Sequence, residues 1–269
     1  MTLSSRLLIK PGTLLSLPDI DPDETHGFAK GPDLDAALER NLTRLDELQY
    51  LMYAEHRRAL LVVLQGMDAA GKDGTIRHVI KGFNPQGCRV TAFKTPTPEE
   101  AAHDFLWRVH PAVPRRGDVA IFNRSYYEDV VVVRVHKLVP EHEWKERYEE
   151  INAFERLLAD HGTVIVKLFL HISKDEQKRR LERRLDDKTR QWKVSLSDFE
   201  DRKSWKDYMR AYEDAISKCN GSHAPWYVVP ANHKWFRNLA VSQILVDTLE
   251  ALDMKFPKPS VDLSAIRLD

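Results

Sequence analysis

The spacing of hydrophobic positions changes several times along this chain, and each change marks an element. From Asp35 to Arg58, Leu38, Leu42, Leu45, Leu48, Leu51 and Met52 recur at three- and four-residue steps, which predicts an amphipathic helix packed on the main sheet. Five short aliphatic or β-branched runs follow: Ala59 to Leu64, Cys88 to Phe93, Val119 to Phe122, Val164 to Ile172 and Trp226 to Val229. Each has the length and composition of a buried strand. Helix-like stretches lie between them, at about Thr75 to Lys81, Pro98 to Val109, Glu141 to Asp160, Asp175 to Leu185 and Leu196 to Ser217, and a last one spans Lys234 to Leu252. Strand and helix in alternation predict an α/β fold, a parallel five-stranded sheet sandwiched by helices. Val130 to Val133 pull two ways: four valines favour a strand, but the flanking charges and the position after a strand favour a helix beginning near Ser125. Residues 1–33 are rich in Pro, Asp and Gly, show no sustained period, and read as an N-terminal arm without chemistry; residues 34–269 read as one domain.

Composition narrows the class. With 269 residues, 42% hydrophobic and 30% charged, the chain is long enough for one sizeable core. The longest apolar runs, Leu60 to Leu64 and Val130 to Val133, fall far short of the ~20 residues that cross a bilayer. Met1 to Pro11 lacks the apolar region and cleavage site of a secretory signal, so no membrane association and a cytoplasmic location are expected. Cys88 and Cys219 are too few and too far apart for a disulfide framework or a zinc site. A net charge of zero argues against nucleic-acid binding over the whole surface, yet Lys178 to Arg210 carries a local excess of basic residues.

The strongest chemical signal is Gly66-Met67-Asp68-Ala69-Ala70-Gly71-Lys72, which follows the first predicted strand and precedes a helix. That context is the one a phosphate-binding P-loop requires. Gly66 and Gly71 permit the tight backbone turn that lets Ala69, Ala70 and the following amides converge on phosphate oxygens, and Lys72 supplies a point charge. The usual Ser or Thr directly after the lysine is displaced: Asp73 and Gly74 intervene before Thr75. Either Thr75 supplies the metal-binding hydroxyl, or the metal moves to a carboxylate such as Asp68, which we favour.

Asn123-Arg124-Ser125-Tyr126-Tyr127-Glu128-Asp129 follows the third strand, and in open α/β sheets ligands lie beyond the carboxyl ends of strands. Asn123 holds no charge where an acid often organises magnesium, so Glu128 or Asp129, a turn further on, is expected to substitute. Arg124 suits a phosphate oxygen through its planar fork; the alternative is an Arg–Glu surface pair. A third basic run, Lys174 to Arg184, has helical spacing that puts Arg180 and Arg184 on one face. Those two suit a mobile helical lid, spanning about residues 174–212, that closes over the reacting phosphate and excludes water; for most of the other charges a solvated helix face suffices. Trp192, Trp205, Tyr208 and Tyr212 read as packing residues.

Taken together, Gly66 to Thr75, Phe122 to Asp129, His171-Ile172-Ser173-Lys174-Asp175-Glu176-Gln177 and Ala224-Pro225-Trp226-Tyr227-Val228-Val229-Pro230-Ala231-Asn232 resemble the polyphosphate kinase 2 family. The resemblance covers nearly the whole chain after Asp35. It implies a P-loop kinase-like fold with a helical lid and reversible phosphoryl transfer between inorganic polyphosphate and AMP, ADP or ATP. It also implies dependence on Mg2+, with Mn2+ as a substitute. Other subgroups carry Asp where Asn123 stands and Asn-Arg where Glu128-Asp129 stand, so this chain is similar to the third class, which accepts both AMP and ADP. Carried across residue by residue, the resemblance puts magnesium and the accepting phosphate on Asp68, Glu128 and Asp129. Lys72, Arg124 and Arg180 then hold the transferred group, with Gly66, Ala69 to Gly71, Asp73 to Thr75 and Arg184 around the phosphates. A homodimer or homotetramer is expected by analogy. Two competing readings share the cradle: an ATP-dependent nucleoside monophosphate kinase, and a non-catalytic phosphate-binding module.

Overall fold

The computed structural model describes residues 2–267; Met1, Leu268 and Asp269, the outer ends of the two predicted ranges, lie outside the described residues. Five strands form one parallel sheet: β1 (Ala59–Gln65), β2 (Cys88–Ala92), β3 (Val119–Asn123), β4 (Thr163–His171) and β5 (Trp226–Pro230), in the order β2-β3-β1-β4-β5. All five coincide with the predicted runs. β1, flanked by β3 and β4, is buried along its whole length, which is why Ala59 to Leu64 reads as a continuous apolar run and not as an alternation. After β1 the chain departs toward the β2 edge and after β4 toward the β5 edge, so the carboxyl end of β1 sits at a divergence point, where such sheets bind ligands.

The helices are α1 (Leu3–Leu7), α2 (Pro32–Glu55), α3 (Lys72–His78), α4 (Pro98–Ala101), α5 (Glu128–Val135), α6 (Glu141–Asp160), α7 (Lys174–Asp186), α8 (Leu196–Lys203), α9 (Trp205–Lys218) and α10 (Lys234–Glu250). Alternate residues of β1 feed two cores: Leu61 and Val63 pack under α5, α6 and α9, while Leu60, Val62 and Leu64 pack under α2 and α10. The valine run is helical, but α5 opens at Glu128, because Ser125 to Tyr127 are consumed by the turn leaving β3. The helix expected over Pro98 to Val109 stops at Ala101. A Thr97–Glu100 capping box starts it, and the Asp104 carboxylate then accepts from the Leu106 amide at 3.0 Å, a local bond that competes with helix continuation. The stretch Leu196 to Ser217 divides at Ser204 into α8 and α9.

The first residues are pinned to the sheet edge. The Ile9 amide donates to Trp226 O at 2.9 Å beside an antiparallel bridge from Leu8 to Tyr227, and Leu17 is fully buried. Under α6, a wholly buried ion pair joins Lys167 Nζ of β4 to Glu155 Oε2 at 2.6 Å. Tyr126 and Tyr127 both donate their hydroxyls to Glu155 Oε1 at 2.8 Å. Each charge and hydroxyl in this network has a partner, as burial demands. Its consequence is positional: the tyrosines hold the turn that carries Arg124.

Candidate active site

β1 ends at Gln65, and the loop from Gly66 to Gly71 bends directly into α3. Gly66 adopts φ +148°, and a Cβ there would lie 2.8 Å from Leu170 O; Gly71 adopts φ +111°, and its Cβ would lie 2.0 Å from Arg237 Nη1. Neither position accepts a side chain without displacement, so both glycines answer to geometry. α3 opens at Lys72, and its first-turn amides, which lack intrahelical acceptors, therefore lie at the loop. Lys72 Nζ donates to Gly66 O at 2.6 Å and Met67 O at 3.3 Å, which holds the ammonium over the loop. Burial, and secondarily the Arg124 charge, lower the Lys72 pKa from 10.5 to about 8. Thr75 is fully buried, and its hydroxyl has no hydrogen-bond partner among the described residues.

Across the mouth, Arg124 is held in the left-handed region at φ +63°, its amide bonded to Leu64 O at 3.0 Å. Its guanidinium donates to Asp68 Oδ1 at 2.6 Å and to Glu128 Oε2 at 3.2 Å. Glu128, then Asp68, raise its pKa against the opposing effect of burial. Ser125 at the same turn accepts from Gln65 Nε2 at 3.1 Å, tying the end of β3 to the end of β1. Gly66, Met67, Asp68, Arg124 and Glu128 face a shared cleft closed on its far side by Tyr208 and Tyr212. Asn123 Nδ2 donates to Asp73 Oδ1 at 3.0 Å, and Lys193 Nζ pairs with Asp73 Oδ2 at 2.8 Å. Those two contacts, Lys193 first, keep the Asp73 carboxyl below its ordinary range.

Two expected ligands lie elsewhere. Asp129 is not brought together with Asp68 and Glu128: its carboxylate sits between Arg108 Nη2 at 3.7 Å and Arg147 Nη1 at 3.6 Å, and its pKa is raised to about 6 because burial outweighs the two cations. The reason is angular, since adjacent helical residues project about 100° apart. Arg180 is buried, and all five of its donors are committed. Nε donates to Glu176 at 2.7 Å, Nη1 to Ala69 O at 3.0 Å and Ala70 O at 2.8 Å, and Nη2 to Ala231 O at 2.5 Å and Asn232 O at 2.9 Å. A guanidinium has five N–H groups and no more. In this conformation Arg180 clamps the loop to the turn after β5 instead of offering a free fork to a phosphate. Arg184 pairs with Asp198 Oδ2 at 2.8 Å, joining α7 to α8.

Other residues enter that the spacing left unmarked. Gln177 Nε2 donates to Asp68 O at 3.0 Å and fixes the loop from the α7 side. Arg237, on α10, is buried against Gly71 and Gly74, and burial, then the neighbouring Arg180, lower its pKa to about 10. Its one sequence signal is a cation among the apolar positions of a helix otherwise built to be buried. Among the described residues no helix is long and apolar enough to cross a membrane, and no group of three or more His, Cys, Asp or Glu side chains forms a ready cation cage.

A 2-3-1-4-5 parallel sheet with a glycine-bounded loop and a lysine-led helix after its central strand defines the P-loop kinase-like fold. The family model for Polyphosphate kinase 2 (PPK2) matches residues 30–257. The chain is 54% identical over 254 residues to the AMP/ADP-polyphosphate phosphotransferase of Meiothermus ruber, covering 93% of this chain and 94% of that protein. It is 48% identical over 233 residues to the ADP-polyphosphate phosphotransferase of Rhodopseudomonas palustris, covering 82% and 81%. The crystal structure of Polyphosphate Kinase 2 from Arthrobacter aurescens TC1 superposes with a TM-score of 0.94 at 45% identity, covering 98% of this chain and 95% of that one. The chain belongs to the polyphosphate kinase 2 family.

Proposed function

We propose that this protein transfers the terminal phosphoryl group of inorganic polyphosphate to AMP or ADP, reversibly and with a divalent cation, magnesium or manganese. The observation that carries the reading is the Arg124 fork spanning Asp68 and Glu128 at the mouth of the Gly66 to Gly71 loop, in a chain of this family. A cation, an ammonium and two carboxylates meet there, as transfer between two polyanions requires. In the transfer, the bond between the terminal phosphorus and its bridging oxygen breaks, and an oxygen of the nucleotide phosphate forms the new bond. The acceptor is already anionic, so no base is needed. Lys72 and Arg124 offset the charge that repels the two substrates, and the loop amides orient the donor.

Magnesium is held by one or two carboxylates together with substrate phosphate oxygens and water. Asp68 and Glu128 meet that demand, and the unpartnered Thr75 hydroxyl is a further oxygen beside the loop. The ion would supply Lewis-acid neutralisation of the bridging oxygens. Asp129, paired with Arg108 and Arg147, positions the start of α5 in this reading, and Arg180 and Gln177 position the loop. The segment of about residues 174–212 acts as the lid that keeps water from the reacting phosphate. A cytoplasmic location and a symmetric homo-oligomer complete the proposal; the two free cysteines suit a reducing compartment.

The test is a donor-omission assay. Protein supplied with magnesium, polyphosphate and either AMP or ADP should form ADP or ATP, and should form neither when polyphosphate is withheld. Failure with both acceptors refutes the reading, and equal product from ATP as sole donor to AMP would favour a nucleoside monophosphate kinase.

A further inference from the structure

Of the walls around the cleft, α8 is the least anchored. None of its eight residues is fully buried and none joins either apolar core, yet it supplies Asp201 to the cleft that also holds Asp68, Arg124 and Glu128. A helix without apolar anchors is held in place by its polar bonds. Toward α7, Arg184 donates to Asp198 Oδ2 at 2.8 Å, and Arg202 donates to Lys174 O at 2.6 Å and Gln177 Oε1 at 3.1 Å. Toward α5, Asp201 Oδ1 lies 2.7 Å from His136 Nε2.

Asp198 and Asp201, three positions apart on the helix, share a face. They add two carboxylates to a site that already holds Asp68 and Glu128 and has to admit two polyanions. Burial, then the charge of Asp68, raise the Asp198 pKa. Each acid of α8 therefore takes a partner from a neighbouring element: Arg184 for Asp198, His136 for Asp201.

His136 stands directly after α5, a helix that Val130, Val131 and Val133 bury in the core and that Arg134 ties to Asp214 of α9 at 2.5 Å. An ionised carboxylate has no proton to give, and two lone pairs 2.7 Å apart would repel, so Nε2 carries the hydrogen and donates to Asp201. The same nitrogen lies 3.1 Å from the hydroxyl of Tyr208, a buried phenol of the cleft wall. Burial, then the Asp201 carboxylate, push that phenol well above its ordinary pKa, so it keeps its proton. One imidazole nitrogen thus joins α5, α8 and α9 at the cleft.

We propose that His136 and Asp201 are positioning residues that seat α8 on the cleft and thereby set how often the phosphoryl group passes to water instead of to the nucleotide. The inference rests on the phosphotransfer reading above. In the wasteful reaction a water oxygen forms the new bond to the terminal phosphorus, the bridging oxygen leaves with the shortened chain, and orthophosphate and a proton are released. Loss of the His136 bond frees α8 on its α5 side and admits that water.

The test follows ATP and orthophosphate together in the full chain supplied with magnesium, polyphosphate and ADP. His136→Leu should raise the ratio of orthophosphate to ATP by about tenfold, the scale of one lost charge-assisted hydrogen bond. His136→Gln, whose Nε2 sits the same number of bonds from the backbone, keeps a donor for Asp201 and should hold the ratio within about twofold of wild type. Adding Asp201→Leu to His136→Leu should change the ratio no further, because the bond is already gone. The ratio is independent of how much of the protein is folded, so a merely structural defect leaves it in place. A leucine variant with the wild-type ratio, a glutamine variant as hydrolytic as leucine, or a multiplied effect in the double variant overturns the proposal and leaves the donor assignment intact. Wild-type protein that forms no ATP overturns both.

Discussion

Arg124 reaches back from the end of β3 to Asp68 in the loop after β1, Nη2 to Oδ1 at 2.6 Å, from a backbone held at φ +63°. A non-glycine residue in that region costs on the order of 1–2 kcal/mol, so the surrounding structure must enforce it. The Ser125 bond to Gln65 and the Tyr126 and Tyr127 bonds to Glu155 do so. The strained residue and its staples together aim a cation at the loop.

Asp68→Asn should therefore cut turnover by at least ~100-fold, because a carboxylate at this point both orients Arg124 and serves the divalent cation. Saturating donor and acceptor with the rate of ATP formation as readout isolates kcat. Undiminished turnover would remove Asp68 from the chemistry.

Lys72 titrates within reach of neutral pH. With its pKa at about 8, the ligand-free protein loses the ammonium above that pH, so kcat/KM should fall on the alkaline side with a midpoint near 8. Lys72→Arg keeps its charge throughout that range and should move the alkaline limb upward even if its plateau is lower. An alkaline limb that stays in place in the arginine variant assigns it to another group. The linkage to stability has the opposite sense. Between about 8 and 10.5 the unfolded chain binds the extra proton, so the Lys72 contribution to stability grows as pH rises through that window.

Arg180→Gln removes the Arg180 donor from four backbone carbonyls and leaves Glu176 with Arg179 as its nearest cation, at 3.1 Å. Unfolding in urea should register a loss of at least ~3 kcal/mol, and the KM for polyphosphate should rise as the loop loosens. Arg180→Lys restores the charge but brings three donors in place of five, and should recover less than half of the lost stability. Full recovery by lysine would show that charge alone matters here.

Asp129 gives a pH signature in stability instead of rate. Its folded pKa of about 6 stands above the ordinary 3.8, so its contribution is fully present below 3.8 and is lost as pH climbs through 6. Relative to wild type, Asp129→Asn should flatten the stability profile between pH 4 and 6, by up to about 3 kcal/mol across the window. Urea midpoints taken in pH steps measure it, and parallel profiles for the two proteins would contradict the raised pKa.

Much of this protein is legible along the chain. Continuous apolar runs mark β1, β3 and β4 as strands covered on both faces, and the short β-branched runs of the edge strands β2 and β5 are legible from composition even though β2 is half exposed, so all five lie where the sequence puts them, as does the helix through the valines after Asn123. The loop from Gly66 to Lys72 was legible because its demands are local: two turns that only glycine takes, and a lysine at the opening of the next helix. The helix over Pro98 to Val109 was overestimated because one Asp104 side-chain bond redirected the backbone, an effect smaller than any periodicity can register.

The roles of the charged residues are another matter. Spacing puts Arg180 and Arg184 on one face of α7, but what a guanidinium does depends on which acceptors surround it, and those of Arg180 come from Ala69 and Ala70, more than a hundred positions earlier, and from Ala231 and Asn232, some fifty later. Glu128 and Asp129 are neighbours in sequence whose carboxylates take different partners, one turned to Arg124, the other to Arg108 and Arg147. Sequence alone determined the sheet, the loop and the family resemblance, because these follow from short-range sterics and burial. Only the tertiary structure decided which cation is held ready and which is already spent, because hydrogen-bond capacity is finite and is filled by groups that folding brings together from distant parts of the chain.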